Sequence, residues 1–278
     1  MKPASLEYVR PRSMEDAVAL LGDQAANAKV FAGGQSLGPM LNLRLSRPGK
    51  LVDIRHIGEL KAVRADSGSC SIGATFTHAE IEDGAIEDFS RGLLPCVARG
   101  IAYRAVRNRG TVGGSLAHAD PAADWVSTMA AIGATIVIRG QAGERRVPAE
   151  NFLAGAFTTE LGDTELLAAV ELPRLSAAAR WGYYKVCRKT GEFAKAIGVA
   201  IQDPKIGLFR VLAGSTEGRP VLLTRSAEAL ASGGAERAAR ATREEIEEAL
   251  PNLVPAHRQQ LIVAVQRSLE QISLVEAA

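Results

Sequence analysis

Arg107-Asn108-Arg109-Gly110-Thr111-Val112-Gly113-Gly114-Ser115-Leu116-Ala117-His118-Ala119-Asp120-Pro121-Ala122-Ala123-Asp124 is the most informative stretch of this 278-residue chain. At its centre, Gly113 and Gly114 are followed by the small hydroxyl of Ser115. A second loop of the same kind, Ala32-Gly33-Gly34-Gln35-Ser36, follows a short strand read over 29–32. Adjacent glycines let successive backbone N–H groups point the same way and approach an anion with no Cβ between them. A helix starting after such a loop adds positive dipole character. Two such loops suit the two phosphates of a dinucleotide, held from opposite sides. The plainer alternative is that each Gly-Gly pair is a tight turn. Neither G-x-x-x-x-G-K-[ST] nor G-x-G-x-x-G occurs, so neither a P-loop nucleotidase nor a standard Rossmann dinucleotide site is expected.

Working outward, the chain alternates helix and strand. Ser13 with Asp16, and Thr77 with Glu80, have capping-box spacing and predict helix starts. Strands are expected at 51–54, at 60–65 with 70–74, at 135–138 with 145–147, and at 165–172. Helices are expected over 37–44, 91–102 and 121–132, the last with Pro121 in its first turn. Val106 to Leu116 reads as a glycine-punctuated loop. Residues 174–180 read as a linker, followed by strands at 181–187, 196–201 and 209–212 and by helices over 235–250 and 255–272. The organisation is α+β, with three parts expected at 1–55, 56–175 and 176–278.

Composition bounds the function. At about 150 residues per domain, the length implies two or three domains. Apolar residues are 47% and charged residues 23%, which is ordinary for a globular protein. The net charge of +2, from 33 basic and 31 acidic residues, lacks the basic excess of a nucleic-acid binder, and 5% aromatics make a base-stacking platform improbable. Cys70, Cys96 and Cys187 form no C-x-x-C pair, so neither an iron–sulfur cluster nor a structural zinc is expected here. Sparse, odd cysteines fit a reducing compartment. The N-terminus has no apolar h-region, and the longest apolar run, 125–138, is too short to span a bilayer. A cytoplasmic protein is expected, free or held at the inner face of the membrane through partners.

With their flanks, Ala32-Gly33-Gly34-Gln35-Ser36-Leu37 and the Arg107–Asp124 stretch resemble the FAD-binding medium subunit of molybdenum hydroxylases. That family includes the carbon monoxide dehydrogenase flavoprotein and the flavin domain of xanthine dehydrogenase. The resemblance runs from Tyr8-x-x-Pro11 to the C-terminal helix and is weakest after Ile201. It implies a vanillyl-alcohol-oxidase-type (PCMH-type) FAD-binding fold of two lobes, plus a C-terminal α+β lobe of the CO dehydrogenase flavoprotein type. It implies dissociable, non-covalent FAD, with Val30, Phe31, Ala32, Gly33, Gly34, Gln35, Ser36 and Leu37 in one phosphate- and ribityl-binding loop, and Gly110, Thr111, Val112, Gly113, Gly114 and Ser115 in the other. Asp124 matches an FAD-contacting aspartate, and its carboxylate at a helix start suits a sugar hydroxyl; plain helix-dipole pairing is the alternative. Ile101 and Leu167 match positions packed against the cofactor, though from their residue type each reads equally as core. Lys185 matches a lysine near the flavin, where a cation favours the reduced anion; a solvated surface lysine is its alternative. Phe193 falls where relatives place an aromatic over the ring, often tyrosine, so a hydrogen-bonding gate is in doubt here.

The same resemblance implies partners: a large molybdenum-cofactor subunit and a small [2Fe-2S] subunit, in a dimer of heterotrimers. FAD here would take electrons from the cluster and pass them to an external acceptor. No catalytic residue and no metal ligand is expected in this chain. His118-Ala119-Asp120 is a poor metal pair on its own, and His118 is expected to shape the loop. No nucleophile elbow occurs. The charge run Arg237, Arg240, Arg243, Glu244, Glu245, Glu247 and Glu248 reads as a solvated face or a docking surface. Two other readings stay open: a stand-alone FAD-dependent oxidoreductase of the same superfold, and a non-catalytic nucleotide-binding assembly subunit.

Overall fold

Ser13 opens the first helix by accepting the Asp16 N–H at 3.0 Å, in a computed structural model that describes residues 2–276. The N-terminal part runs β1 (Glu7–Val9), α1 (Met14–Gly22), β2 (Ala28–Phe31), α2 (Leu37–Asn42) and β3 (Lys50–Asp53), in a parallel sheet ordered β1-β3-β2. Two β-α-β crossovers make those strands parallel.

The middle part runs β4 (Val63–Ala65), β5 (Ser69–Gly73), α3 (His78–Glu82), α4 (Leu93–Arg99), α5 (Arg104–Arg107), α6 (Val112–His118), α7 (Asp124–Ile132), β6 (Thr135–Gly140), β7 (Gly143–Pro148), α8 (Ala149–Phe152), β8 (Leu153–Gly155), β9 (Thr158–Thr159) and β10 (Leu166–Pro173). Its antiparallel sheet has the order β4-β5-β10-β6-β7. The C-terminal part has an antiparallel sheet, β11 (Arg180–Val186), β12 (Ala196–Asp203), β13 (Leu208–Gly214) and β14 (Val221–Leu222), followed by α9 (Thr224–Ala249) and α10 (Pro255–Glu276).

Burial explains the stacking. Ala17, Val18, Leu21, Val52 and Ile54 pack on Val137, Leu166 and Ala168, which fixes the small sheet against one face of the five-stranded one. The other face carries Ile72, Ile136, Ile138 and Val170 onto Leu94, Val97, Trp125 and Met129 of α4 and α7. Those helices also meet Ile197, Val199 and Ile201 of β12, while Ala196 and Ala200 face Leu261, Val265 and Leu269 of α10. With both faces covered, β12 is buried at every position, and its 196–201 stretch reads as a continuous apolar run.

Several sequence expectations are corrected. The 106–116 stretch is a loop only over 108–111: it takes in the last two residues of α5 and the first five of α6. A helical glycine costs about 1 kcal/mol against alanine, but Thr111 caps the start by accepting the Gly114 N–H at 3.0 Å, and the bare Gly113 lets α6 approach β5. The helix expected from Pro121 begins at Asp124, after a turn in which Asp120 accepts the Ala122 N–H. Residues 58–61 form a 3-10 turn, leaving only Val63–Ala65 as strand. The helix expected over 37–44 ends at Asn42. The helix expected from 235 starts at Thr224, and Gly234 (φ 76°) kinks it rather than preceding it. Glu245, in the supposedly solvated acidic run, is buried and accepts the N–H groups of Arg225 and Ser226, capping the first turn of its own kinked helix.

Candidate functional site

The two glycine loops touch each other. β2 ends at Phe31, whose carbonyl accepts the Ile54 N–H, and the chain then turns through Gly34 at φ 70°, a conformation open to glycine. A Cβ on Gly33 would lie 2.1 Å from the Arg109 carbonyl oxygen and 2.8 Å from the Gly110 Cα, so the first loop leans on the second at a bare backbone. The Gln35 side-chain amide donates to the Gly33 carbonyl, and the Gly38 N–H to the Gly34 carbonyl. Among the described residues, the N–H groups of Gly33, Gly34, Gln35 and Ser36 have no acceptor within the protein. Ser36 precedes α2 without a side-chain cap. A run of unpaired amides around a glycine at positive φ is an anion-receiving nest.

The second loop is fixed from behind. Thr111 forms an isolated bridge with Thr77. The Val112 N–H donates to the Phe76 carbonyl and the Gly113 N–H to the Ala74 carbonyl. A Cβ on Gly113 would sit 2.5 Å from the Ala74 Cβ. Gly114 points the other way, its missing Cβ 3.8 Å from the Ala32 Cβ of the first loop. Between the loops lies an apolar cleft lined by Val30, Ala32, Gly113, Gly114, Ala117 and Leu167, among others. Leu167 is therefore both core, at 4% exposure, and cleft wall. Phe31 and Leu37 flank the first loop without lining that cleft, and Arg55 stacks over the Phe31 ring at 5.0 Å.

Asp124, Lys185 and Ile101 gather elsewhere, around the junction of α7, β11 and the turn before α5. Trp181, Tyr183 and Lys185 share one face of β11, as period two requires, and that face looks at the helix layer. Lys185 is not a surface lysine. At 10% side-chain exposure it donates to both Asp124 oxygens at 2.9 and 3.0 Å. The Tyr183 hydroxyl donates to Asp124 Oδ1 at 2.6 Å, and burial followed by the Asp124 charge pushes that phenol well up. The Ile101 and Ala102 carbonyls both accept from Arg107 at 3.0 Å, and Arg107 is itself paired with Glu82 of α3. Phe193 is 64% exposed, on a loop whose Gly191 packs against Ala102. The site residues thus fall into two groups: the cleft with its loops, and the Ile101–Asp124–Lys185–Phe193 region.

Four residues that sequence reasoning did not single out as site residues, Glu82, Arg107, His78 and Trp125, hold these groups in place. Glu82 and Arg107 fix the Ile101–Ala102 turn. His78 donates its backbone N–H to the Gly110 carbonyl, and its ring accepts from Trp125. The available signal was the Thr77–Glu80 cap, which is present as a full capping box and places His78 at the helix start. His118 packs against the exposed Phe157 ring at 5.3 Å. Among the described residues, no three His, Cys, Asp or Glu side chains converge to hold a metal, and no helix is long and apolar enough to cross a membrane.

A family model described as the FAD binding domain in molybdopterin dehydrogenase matches residues 4–175. The carbon monoxide dehydrogenase medium chain of Hydrogenophaga pseudoflava is 39% identical over 207 residues, covering 74% of this chain and 72% of that one. The caffeine dehydrogenase subunit beta of Pseudomonas sp. (strain CBB1) is 34% identical, covering 76% and 73%. Among solved structures, quinoline 2-oxidoreductase from Pseudomonas putida 86 superposes with a TM-score of 0.88 at 31% identity, over 100% of both chains.

Proposed function

The chain belongs to the family of FAD-binding domains of molybdopterin dehydrogenases, and from that premise we propose how its residues serve the flavin. It is an FAD-binding, electron-transferring subunit of a molybdenum-containing oxidoreductase, and the fold is the flavoprotein fold of carbon monoxide dehydrogenase. We place a large molybdenum subunit and a small [2Fe-2S] subunit beside it in the cytoplasm, as a dimer of heterotrimers with an external electron acceptor. The parts 1–55 and 56–175 would close on the cofactor, and 176–278 would form the C-terminal lobe.

The observation that carries the site assignment is the loop-to-loop contact at Gly33, with four unpaired amides from Gly33 to Ser36 beside it. A two-phosphate ligand fits that cradle: the amides receive negative charge, and bare Cα atoms permit close approach. When bound, FAD would supply single-electron uptake and release of electrons singly or in pairs. Around it, Val30–Leu37 and Gly110–Ser115 hold the pyrophosphate and ribityl chain, while Leu167 and Ile101 exclude water. Asp124, with lone pairs to spare beyond Lys185 and Tyr183, accepts from a sugar hydroxyl. Lys185 would supply positive charge whose net value is cut by its pairing with Asp124, and Phe193 would pack against the ring from its exposed loop.

The test is anaerobic mixing of the complex's substrate with the isolated chain and with the assembled complex, following flavin absorbance near 450 nm. Bleaching in the complex alone is expected. Rapid bleaching of the isolated chain would make it a stand-alone oxidoreductase.

A further inference from the structure

We propose that His78 is a positioning residue for the phosphate-binding turn. Its ring, oriented by the Trp125 indole, backs Gly110, and its backbone N–H holds the Gly110 carbonyl. The inference rests on assigning the Gly110–Ser115 turn to the cofactor's phosphates.

His78 is the first residue of α3, directly after the Thr77 cap, and Thr77 is bridged to Thr111. The His78 N–H donates to the Gly110 carbonyl at 2.9 Å. Its side chain is 5% exposed. The Trp125 Nε1–H donates to His78 Nδ1 at 3.0 Å. A nitrogen that accepts carries no proton, so the proton of the neutral ring sits on Nε2. Nε2 lies over Gly110: a Cβ there would come within 2.7 Å of it. The imidazole and the bare glycine therefore define each other's place.

The charges around the ring agree with a neutral imidazole. Arg107 faces it, and burial first and that guanidinium second push its pKa down to about 4. Glu82, on the same helix, is committed to Arg107. If this position served packing alone, an aliphatic side chain would fill it without placing a polar ring against a tryptophan N–H. Trp125 also directly follows Asp124 in α7 and is fully buried. One hydrogen bond thus ties the phosphate turn to the helix start that bears Asp124.

Asparagine puts its carbonyl oxygen near the place of Nδ1 and keeps an acceptor for Trp125. Glutamine reaches towards the Nε2 position instead, and leucine offers no acceptor. The experiment strips the full chain of flavin and titrates it with FAD and with riboflavin, which lacks phosphate, for the wild type and for His78→Asn, His78→Gln and His78→Leu. Tenfold or greater loss of FAD affinity is expected in His78→Leu and His78→Gln, with riboflavin binding changed less than twofold. His78→Asn should stay within threefold of wild type for both ligands. Should His78→Leu fail to fold, the Asn and Gln pair carries the comparison. Equal losses for FAD and riboflavin, or unchanged FAD affinity in His78→Leu and His78→Gln, would overturn the proposal. Gly114→Val run alongside separates the two levels: if it retains FAD, the phosphate assignment itself is wrong, whereas if it loses FAD while the His78 variants keep it, only the role of His78 falls.

Discussion

The Lys185 ammonium donates to both carboxylate oxygens of Asp124, joining the C-terminal sheet to the first turn of α7 across the helix layer. Neither side chain is more than 10% exposed, and the Tyr183 hydroxyl completes the cluster. The two residues are 61 apart in sequence. They are as much a strut between parts of the fold as they are candidate cofactor contacts.

Removing one partner strands the other's charge in the interior. Lys185→Met should lower the unfolding free energy of the flavin-free chain by about 3 kcal/mol or more, since breaking a buried pair costs more than the pair itself contributes. Urea denaturation measures it. A Lys185→Met, Asp124→Leu double variant should recover much of the loss. A double variant as unstable as the sum of the singles would mean that the two side chains act independently.

Gly113 and Gly114 should fail differently. Gly113→Ala drives a Cβ into the Ala74 backbone, a rigid neighbour, so a stability loss of about 1–3 kcal/mol is expected from overpacking. Gly114→Val faces the cleft and Thr111 Oγ1. It should lose nine-tenths or more of its flavin content while circular dichroism still shows the native fold. Wild-type flavin content in purified Gly114→Val would remove this loop from the site.

Acid precipitation of the purified chain should release FAD, not FMN, in near-equal molar ratio to protein. Colour retained in the pellet would indicate a covalent link, and chromatography of the supernatant identifies the flavin.

His78 gives stability a defined pH dependence. Its folded pKa is down at about 4, against an ordinary 6.5. Between those values the unfolded chain binds the proton and the folded chain does not, so stability rises with pH across that window and is lost as pH falls through it. At about 1.4 kcal/mol per unit, the loss on acidification to pH 4 is about 3 kcal/mol. Asp53 acts in a lower window. Burial opposes its ionisation, but hydrogen bonds from Arg55 and Tyr8 outweigh that and hold the carboxyl below its usual range, so its contribution disappears only as pH falls below about 4. Denaturation midpoints from pH 7 to pH 4 should therefore decline in the wild type and flatten in His78→Asn.

Much of the architecture was legible in residue pattern. The caps at Ser13 and Thr77 and the apolar 196–201 run of β12 are local signals, and local physics honours them. The Arg107–Asp124 stretch, with the 32–37 loop, carried the resemblance to the family that the comparisons then showed.

What the sequence misjudged was non-local. Gly113 and Gly114 look like helix breakers until Ala74 presses against the first and Thr111 caps the second, and contact energy then overrides propensity. For Lys185, matched by resemblance to a lysine near the flavin, the solvated alternative is excluded only when β11 turns it onto Asp124. His78 looks incidental until the packing of α3 near α7 brings its ring to the N–H of Trp125, 47 residues on. The sequence by itself determined the order of elements, the two glycine loops and the family they mark. Only the tertiary structure decided which buried polar groups meet, because burying such a group is costly unless a distant partner arrives to satisfy it.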